Sequence, residues 1–160
     1  MEKYHMNLQE REITDHQEIK TLLLQGKYAV IAMCRENLPY IVTLNYGYDP
    51  NIDVMYFHSA PTGHKMDILT SNPRVSATII DDRGYLEGQC SHSYRSVIIN
   101  GQITVVSDPS EKEQGMRLML HQLEQHPEKM EDRLLKSDKF LQKTTLLKLV
   151  IETKRAKKGQ

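Results

Sequence analysis

The sequence predicts a mainly β or α+β fold, in which an antiparallel sheet or barrel carries packed helices. Several short segments rich in β-branched and aromatic residues follow one another with hairpin-length connections. The regular alternation of strand and helix that parallel crossover units require is missing. With 160 residues, 39% of them hydrophobic and 26% charged, the chain is large enough to bury a core and is expected to form one domain over residues 1–160.

The first predicted element is a helix in TDHQEIKTLLLQG, residues 14–26. Thr14 and Gln17 fit a capping box at its start, and Gly26 occupies the place of a C-terminal glycine. A short helix is expected from about 64 to 71, because Pro73 follows it closely. Strands are expected at residues 27–34, 39–46, 54–59 and 74–81.

The second half of the sequence contains a long β-rich run and one clear predicted helix. Residues 82–93 are polar and contain glycine, which is typical of a loop, and Gly101 within the run 94–108 predicts a bulge. The helix lies within 108–127 and has Pro109 in its first turn. Its apolar stripe is expected to face the core, and comprises Met116, Met119, Leu120 and Leu123. A charged segment, helical in pieces, then leads to a strand at 144–154.

Charge and hydropathy exclude several classes of function. Lys+Arg and Asp+Glu both number 21, so the chain lacks the basic excess of a general nucleic-acid surface. The basic end, about residues 154–160, is expected to be a solvated tail. No apolar run reaches the roughly 18 residues of a membrane span, and the polar start MEKYHMNLQERE does not fit a signal peptide. Cys34 and Cys90 are therefore expected to be reduced, in a cytoplasmic protein.

The stretch YFHSAPTGHKMDILTSNP gathers polar groups where a strand gives way to a helix. The first N–H groups of a helix have no partner within it and attract anions. Ser59 and Thr62 add hydroxyls, and Lys65 adds a positive charge. The set suits a phosphate group, although the Walker motif GxxxxGK[ST] is absent and an ordinary structural turn has the same composition.

Other constellations give weaker signals. No spacing among His58, His64, Cys90 and His92 is diagnostic of a metal site. A haem held by one of these histidines stays open, although CxxCH is absent. Cys90 and His92 lie too close in sequence to indicate a catalytic pair, which is assembled in space.

Four segments together resemble the flavin-binding split-barrel family of pyridoxamine-phosphate oxidase, and within it the Nim-type nitroimidazole-resistance proteins. They are PYIVTLNYGYD, YFHSAPTGHKMDILTSNPRVSATII, YRSVIINGQITVV followed by the helix start at Glu111 and Lys112, and LLKLVIETKRAKKG. The resemblance implies a split β-barrel and a homodimer with two flavin sites between its subunits. It implies FMN, or in some members FAD, as cofactor.

The resemblance also implies which residues hold the flavin. Val42, Thr43 and Leu44 match the strand beside the flavin ring, while Phe57 and His58 match contacts of the next strand. At the phosphate the resemblance implies His64 and Lys65, where the oxidases often carry Arg-Lys, and Ser96, where they often carry Gln. The remaining candidate contacts are Ser59, Thr62, Tyr94 and Arg95.

The activity that the resemblance implies is flavin-dependent reduction of a small acceptor, such as a nitroaromatic or a quinone, with NADH or NADPH as electron donor. The chain has no tryptophan and lacks the oxidases' C-terminal segment with its Trp and Arg, so oxidation of pyridoxamine phosphate is not expected. His58 is a candidate acid or base near the ring, or a hydrogen-bonding partner of the phosphate or ribityl chain. The alternative function is a flavin- or haem-binding protein of the same fold without turnover.

Overall fold

The computed structural model describes residues 6–136 and 138–159. Within them, the strands are β1 (Glu12–Ile13), β2 (Tyr28–Arg35), β3 (Leu38–Asn45), β4 (Gly47–Asp49), β5 (Val54–Ser59), β6 (Arg74–Leu86), β7 (Ser91–Val105) and β8 (Thr145–Lys158). The helices are α1 (His16–Gln25), α2 (His64–Ser71), α3 (Pro109–Leu123), α4 (Pro127–Leu134) and α5 (Asp138–Lys143), and a short 3-10 turn, Gln9–Arg11, precedes β1. No helix among these residues is long and apolar enough to cross a membrane.

The strands form an antiparallel sheet in the order β3-β2-β6-β7-β8-β5-β4, with β1 added to β8. The sheet curls until Cα atoms of β3 and β5, near its two ends, approach within 8 Å. These two strands are not hydrogen-bonded to each other, so the barrel is open along one line. The predicted antiparallel split barrel with packed helices is confirmed.

Two apolar clusters hold the fold together. Inward-facing residues of the strands fill the barrel, and α1 adds Ile19, Leu22 and Leu23 to that cluster. The second cluster lies between the outer face of β5 and β8 and the helix α3. There Tyr56 and Leu146 pack beneath Met116 and Met119, so α3 is fixed over one side of the barrel by burial of apolar surface.

The start of α1 differs from the predicted pattern, whereas its end at Gly26 agrees with it. Asp15, not Thr14, caps the helix, because its carboxylate accepts the N–H of Gln17 at 2.8 Å. Gly26 does end the helix, but its φ of −63° is open to any residue. Glycine is required there because a Cβ atom would meet the hydroxyl of Tyr46, which donates to the Leu23 carbonyl at 2.6 Å.

The polar segment 82–93 is not a loop. It continues β6 and β7 into a long hairpin whose turn occupies residues 87–90, with Gly88 and Cys90 at positive φ. Both faces of this end of the hairpin are exposed to solvent. The sequence there therefore has no alternation of apolar and polar residues that would predict a strand. The bulge predicted at Gly101 is confirmed by a shift in the pairing of β7 with β8.

The basic end of the chain belongs to the sheet. β8 runs through Lys158, so residues expected to form a solvated tail pair with β7 instead. The ammonium group of Lys154 contacts the carboxylate of Asp53 at 2.7 and 2.8 Å. The apolar residues early in β8 predict the strand, but its charged half gives no such signal.

Candidate functional site

An open seam separates β3 from the last residues of β5. Among the described strands, β3 is paired with β2 only, so its second edge presents free N–H and C=O groups. β4 covers β5 only as far as Tyr56, which leaves Phe57, His58 and Ser59 uncovered on the side of β3. We call the space between β3 and residues 57–59 the seam.

A cavity of about 410 Å³ lies against the outer side of the seam. Its polar wall consists of Thr43, Asn45 and His58, which point outward from their strands. The opposite wall is apolar and comes from β3 and the helices α3, α4 and α5: Leu44, Met116, Met119, Leu120, Leu123, Leu134 and Phe140. We call this space the helix-side cavity.

The predicted ring contacts divide according to the face of the strand. Thr43 is exposed and lines the helix-side cavity, whereas Val42 is partly buried on the inner face, against the barrel core. Leu44 is also partly buried and reaches the cavity. The side chain of Phe57 is fully buried in the core, so only its backbone is open to the seam. His58 is exposed and lines the cavity.

The start of α2 presents free backbone donors and an unusual lysine. Gly63 precedes the helix at φ +119°, a conformation that favours glycine, and no side chain caps the helix. The Gly63 carbonyl accepts from Met66 and Asp67, so the preceding N–H groups have no partner within the helix. Burial lowers the pKa of Lys65, and among the described residues no carboxylate forms an ion pair with it.

The other predicted residues near α2 have different environments. The hydroxyl of Ser59 is buried and donates to the Ala60 carbonyl at 2.9 Å, so it serves the local turn. Thr62 is exposed beside Gly63. The imidazole of His64 is exposed, and it contacts the ring of Tyr40 on β3, which brings the start of α2 against the strand that borders the seam.

Residues 94–96 do not join this site within one chain. Arg95 points to the opposite face of β7 from its neighbours, where it contacts Asp81 at 2.9 Å and Glu18 at 3.3 Å. Burial would raise the pKa of Asp81, but hydrogen bonds from Arg95 and Arg83 outweigh it and lower that pKa. Arg95 therefore ties the sheet to α1, although it was expected near the flavin phosphate.

Tyr94 and Ser96 instead line a groove of about 470 Å³ on the outer face of β6, β7 and β8. We call this the outer groove. Among the described residues, none lines both the outer groove and the helix-side cavity. The structure thus brings together His58 and Thr43 at the seam and places His64 and Lys65 at α2, but it keeps Tyr94 and Ser96 apart from both.

Sequence reasoning missed part of the helix-side cavity. Met116 and Met119 were predicted as core, which they are, but they also form the cavity wall. Leu134 and Phe140 lie in short, charged helices whose sequence gives no signal of a site. Asn45 could have been suspected, because it follows Thr43 on the outward face of β3.

The described residues contain no group of three His, Cys, Asp or Glu side chains that could hold a metal ion. His64 contacts Tyr40, whereas His92 lies on β7 and bonds to Asp82. Cys34 and Cys90 are both free thiols.

Comparisons with known proteins agree with this architecture. Residues 15–158 match the family described as pyridoxamine 5'-phosphate oxidase, which confirms the resemblance noted in the sequence. A curated, uncharacterized protein of Rhizobium meliloti is 31% identical over 90 residues, or 56% of this chain. The match covers 54% of that relative, so this chain corresponds to about half its length.

Three solved structures illustrate the fold. A candidate 5-nitroimidazole antibiotic resistance protein from Bacteroides thetaiotaomicron is 25% identical, with a TM-score of 0.77 over 92% of this chain and 86% of that one. The flavocytochrome Anf3 from Azotobacter vinelandii is 16% identical, with a TM-score of 0.78 over 97% and 72%. An FAD-binding protein from Mesorhizobium loti is 20% identical, with a TM-score of 0.67 over 94% and 98%.

Proposed function

Because this chain belongs to the pyridoxamine 5'-phosphate oxidase family, we propose that it is a flavin-dependent oxidoreductase that binds FMN along the seam and reduces a small acceptor. The observation that carries this proposal is the start of α2. There a half-buried lysine without a carboxylate partner among the described residues stands beside free helix N–H groups. A bound phosphate would satisfy both.

The phosphate end of the flavin fits α2. Desolvation lowers the pKa of Lys65, and a phosphate dianion beside it would favour the charged ammonium through a charge-assisted hydrogen bond. The unpaired N–H groups after Gly63 point the same way as the helix dipole. His64 would add a donor, in place of the bidentate arginine that the oxidases often carry.

The flavin ring fits the seam. The free edge of β3 at Val42, Thr43 and Leu44 offers backbone donors and acceptors to a planar ring with a polar edge. The uncovered backbone of Phe57 and the imidazole of His58 face the same space from β5. Bound FMN would supply the electron-transfer chemistry, with NADH or NADPH as donor, while the protein supplies position and electrostatics.

The helix-side cavity fits an uncharged, flat acceptor. Among the described residues that line it, none is a lysine or arginine, so it offers no partner for a phosphorylated substrate such as pyridoxamine phosphate. Its apolar wall, with Met116 and Met119, suits a nitroaromatic or a quinone. His58 lies on the opposite wall, where it can donate a hydrogen bond or a proton to the acceptor.

A homodimer would complete the site. The outer face of β2 and β3 exposes Tyr28 and Ile41, each by more than half of its surface. Tyr94 and Ser96, the expected phosphate contacts, lie in the outer groove, away from the seam of the same chain. A second copy packed on this face would bring its outer groove toward the flavin.

One observation favours a second candidate, a haem- or flavin-binding protein without turnover. His58 faces an apolar wall across a cavity large enough for part of a macrocycle, and an imidazole opposite apolar side chains is an ordinary haem environment. In that case His58 would ligate the iron instead of serving the acceptor.

The absorption spectrum of the purified protein separates the candidates, followed by mass analysis of the heat-released ligand and an NADH and NADPH oxidation assay with nitroaromatic and quinone acceptors. Near-ultraviolet and blue bands together with turnover support the oxidoreductase. The same bands without turnover support a flavin carrier, whereas a Soret band supports haem. A colourless protein that takes up neither cofactor contradicts both candidates.

A further inference from the structure

Apart from Tyr94 and Ser96, the outer groove is lined by groups that the proposed flavin contacts do not use. Its walls combine an apolar floor with aromatic and charged groups, and its lining residues are Thr78, Ile80, Asp82, His92, Tyr94, Ser96, Ile98 and Lys157. Half of the surface of Ile80 is exposed there. A flat apolar floor with a cation at one side is suited to an aromatic ligand that carries negative charge.

The strand pairing sets the dimensions of the groove. Ile80, Ser96 and Lys157 form one row across β6, β7 and β8, while Asp82 and Tyr94 form the next row. Strands are about 4.8 Å apart and residues about 3.3 Å apart along a strand, so Lys157 and Asp82 stand roughly 12 Å from each other. That span is comparable with an extended nucleoside monophosphate.

The aromatic side of the groove is held in place. The N–H of Gly159 donates to the Tyr94 carbonyl at 2.8 Å, and a Cβ atom on Gly159 would stand 2.7 Å from the Tyr94 ring. His92 bonds to the Asp82 carboxylate at 2.7 Å, and Asp82 also accepts the N–H of Gly84 at 2.8 Å. Both rings are therefore positioned before any ligand arrives.

The charged side of the groove is available to bind an anion. The ammonium of Lys157 lies 5.8 Å from the centre of the Tyr94 ring, a cation–π contact. A phosphate would offer this ammonium a stronger partner, and movement of the ammonium toward the phosphate would free the aromatic face for stacking by a base. The negative charge of Asp82 lies at the other end of the groove, engaged by His92.

We propose that the outer groove binds an adenosine 5'-phosphate group, with the phosphate on Lys157 and the adenine over Tyr94 and the isoleucine floor. The proposal deepens the proposed function and rests on it in one respect. Ser96 is the residue expected beside the flavin phosphate, and from Ser96 the groove continues past that phosphate toward Tyr94 and His92. The adenylate is either the second half of FAD or part of the nicotinamide donor.

The test uses the full-length protein and the variant Lys157→Met, with Lys158→Met as the matched control. Lys158 is the next residue of β8 and is exposed on the face of Arg95, away from the groove. Calorimetric titration of the flavin-free protein with AMP measures the affinity of the groove for an adenylate directly. Affinities for FMN and FAD, and the KM for NADH of the FMN-loaded protein, then identify the source of the adenylate.

We expect AMP to bind the wild-type protein and Lys158→Met alike, and Lys157→Met about tenfold more weakly. If FAD is the source, Lys157→Met lowers the affinity for FAD and leaves that for FMN unchanged. If the donor is the source, the ratio of the two affinities stays constant and the KM for NADH rises. If neither changes while AMP binding still depends on Lys157, a free adenylate is the ligand.

Two results would overturn the proposal: no AMP binding at concentrations on the order of millimolar, or equal binding by all three proteins. The proposed flavin function fails separately. If no protein takes up FMN or FAD, but AMP binding still depends on Lys157, then the groove is a nucleotide site and the flavin function is wrong.

Discussion

The imidazole of His64 meets the ring of Tyr40 edge to face, with the ring centroids 4.8 Å apart and the planes at 85°. Such pairs stabilise a fold by about 0.5–1.5 kcal/mol beyond the area they bury. This pair joins the first residue of α2 to the third residue of β3. The helix start proposed to hold the flavin phosphate is therefore anchored on the strand proposed to hold the flavin ring.

Lys65→Ala should weaken FMN binding by roughly ten- to a hundredfold, because a hydrogen bond between charged groups is worth about 1.5–3 kcal/mol. Riboflavin has no phosphate, so its affinity should change little. Fluorescence titration with both ligands measures the difference, and Lys129→Ala, at an exposed position of α4, is the control. FMN affinity equal to that of the wild type would rule out Lys65 as a phosphate contact.

The lowered pKa of Lys65 predicts opposite pH dependences for stability and for FMN binding. Between the folded-state pKa and the ordinary value of 10.5, the unfolded chain holds more protons, so this group makes the flavin-free protein more stable as pH rises. The phosphate needs the charged lysine, so FMN affinity relative to riboflavin should fall over the same range. In Lys65→Ala the ratio of FMN affinity to riboflavin affinity should not change with pH. A ratio independent of pH in the wild-type protein would contradict the assignment of Lys65 as a phosphate contact.

The positions of strands and helices were predictable where one face of the element is buried and the other is exposed to solvent. The helix at residues 64–71 agrees with its observed bounds because Pro73 stops it. The role of Phe57 was not predictable, because both faces of β5 are buried: Phe57 lies in the barrel core, and α3 covers Tyr56 on the outer face. A strand buried on both faces gives no alternation that would tell inside from outside.

The composition of the candidate site was partly predictable and its assembly was not. The local stretch from His58 to Lys65 is contiguous, so its chemistry can be read from the sequence. The ion pair of Arg95 with Glu18 joins residues 77 positions apart in sequence. Only the folded structure shows that the Arg95 side chain contacts α1. Likewise, the separation of Ser96 from the seam follows from strand order, which local patterns do not specify.

Ile41→Lys should disrupt the proposed homodimer and lower FMN affinity by at least about tenfold, because a charge on the packed apolar face must be desolvated without a partner. Ile41 is 62% exposed in the single chain. Ile52→Lys is the control, since Ile52 is 59% exposed but lies in the turn between β4 and β5.

Light scattering over a range of protein concentrations, together with FMN titration, reports both effects of Ile41→Lys. A wild-type monomer that binds FMN tightly would contradict the homodimer. A variant that becomes monomeric yet keeps its FMN affinity would show that the second copy contributes nothing to the site.

Gly115→Ala should destabilise the protein although alanine is the better helix former. A Cβ atom at Gly115 would stand 2.5 Å from Leu146 Cδ2 and 2.8 Å from Tyr56 Cδ1, so α3 could not keep its present distance from the barrel. Overpacking costs about 1–3 kcal/mol and the gain in helix propensity is about 1 kcal/mol, so the free energy of unfolding should fall by up to about 2 kcal/mol.

Urea unfolding measures this loss, and Gln114→Ala at the exposed neighbouring position should not show it. Because α3 carries Met116 and Met119 in the wall of the helix-side cavity, Gly115→Ala should also raise the KM for an apolar acceptor. The affinity for FMN should stay the same, since α3 contributes to none of its proposed contacts. A variant as stable as the wild type would mean that Leu146 and Tyr56 repack to admit the methyl group, and the cavity wall would then not depend on Gly115.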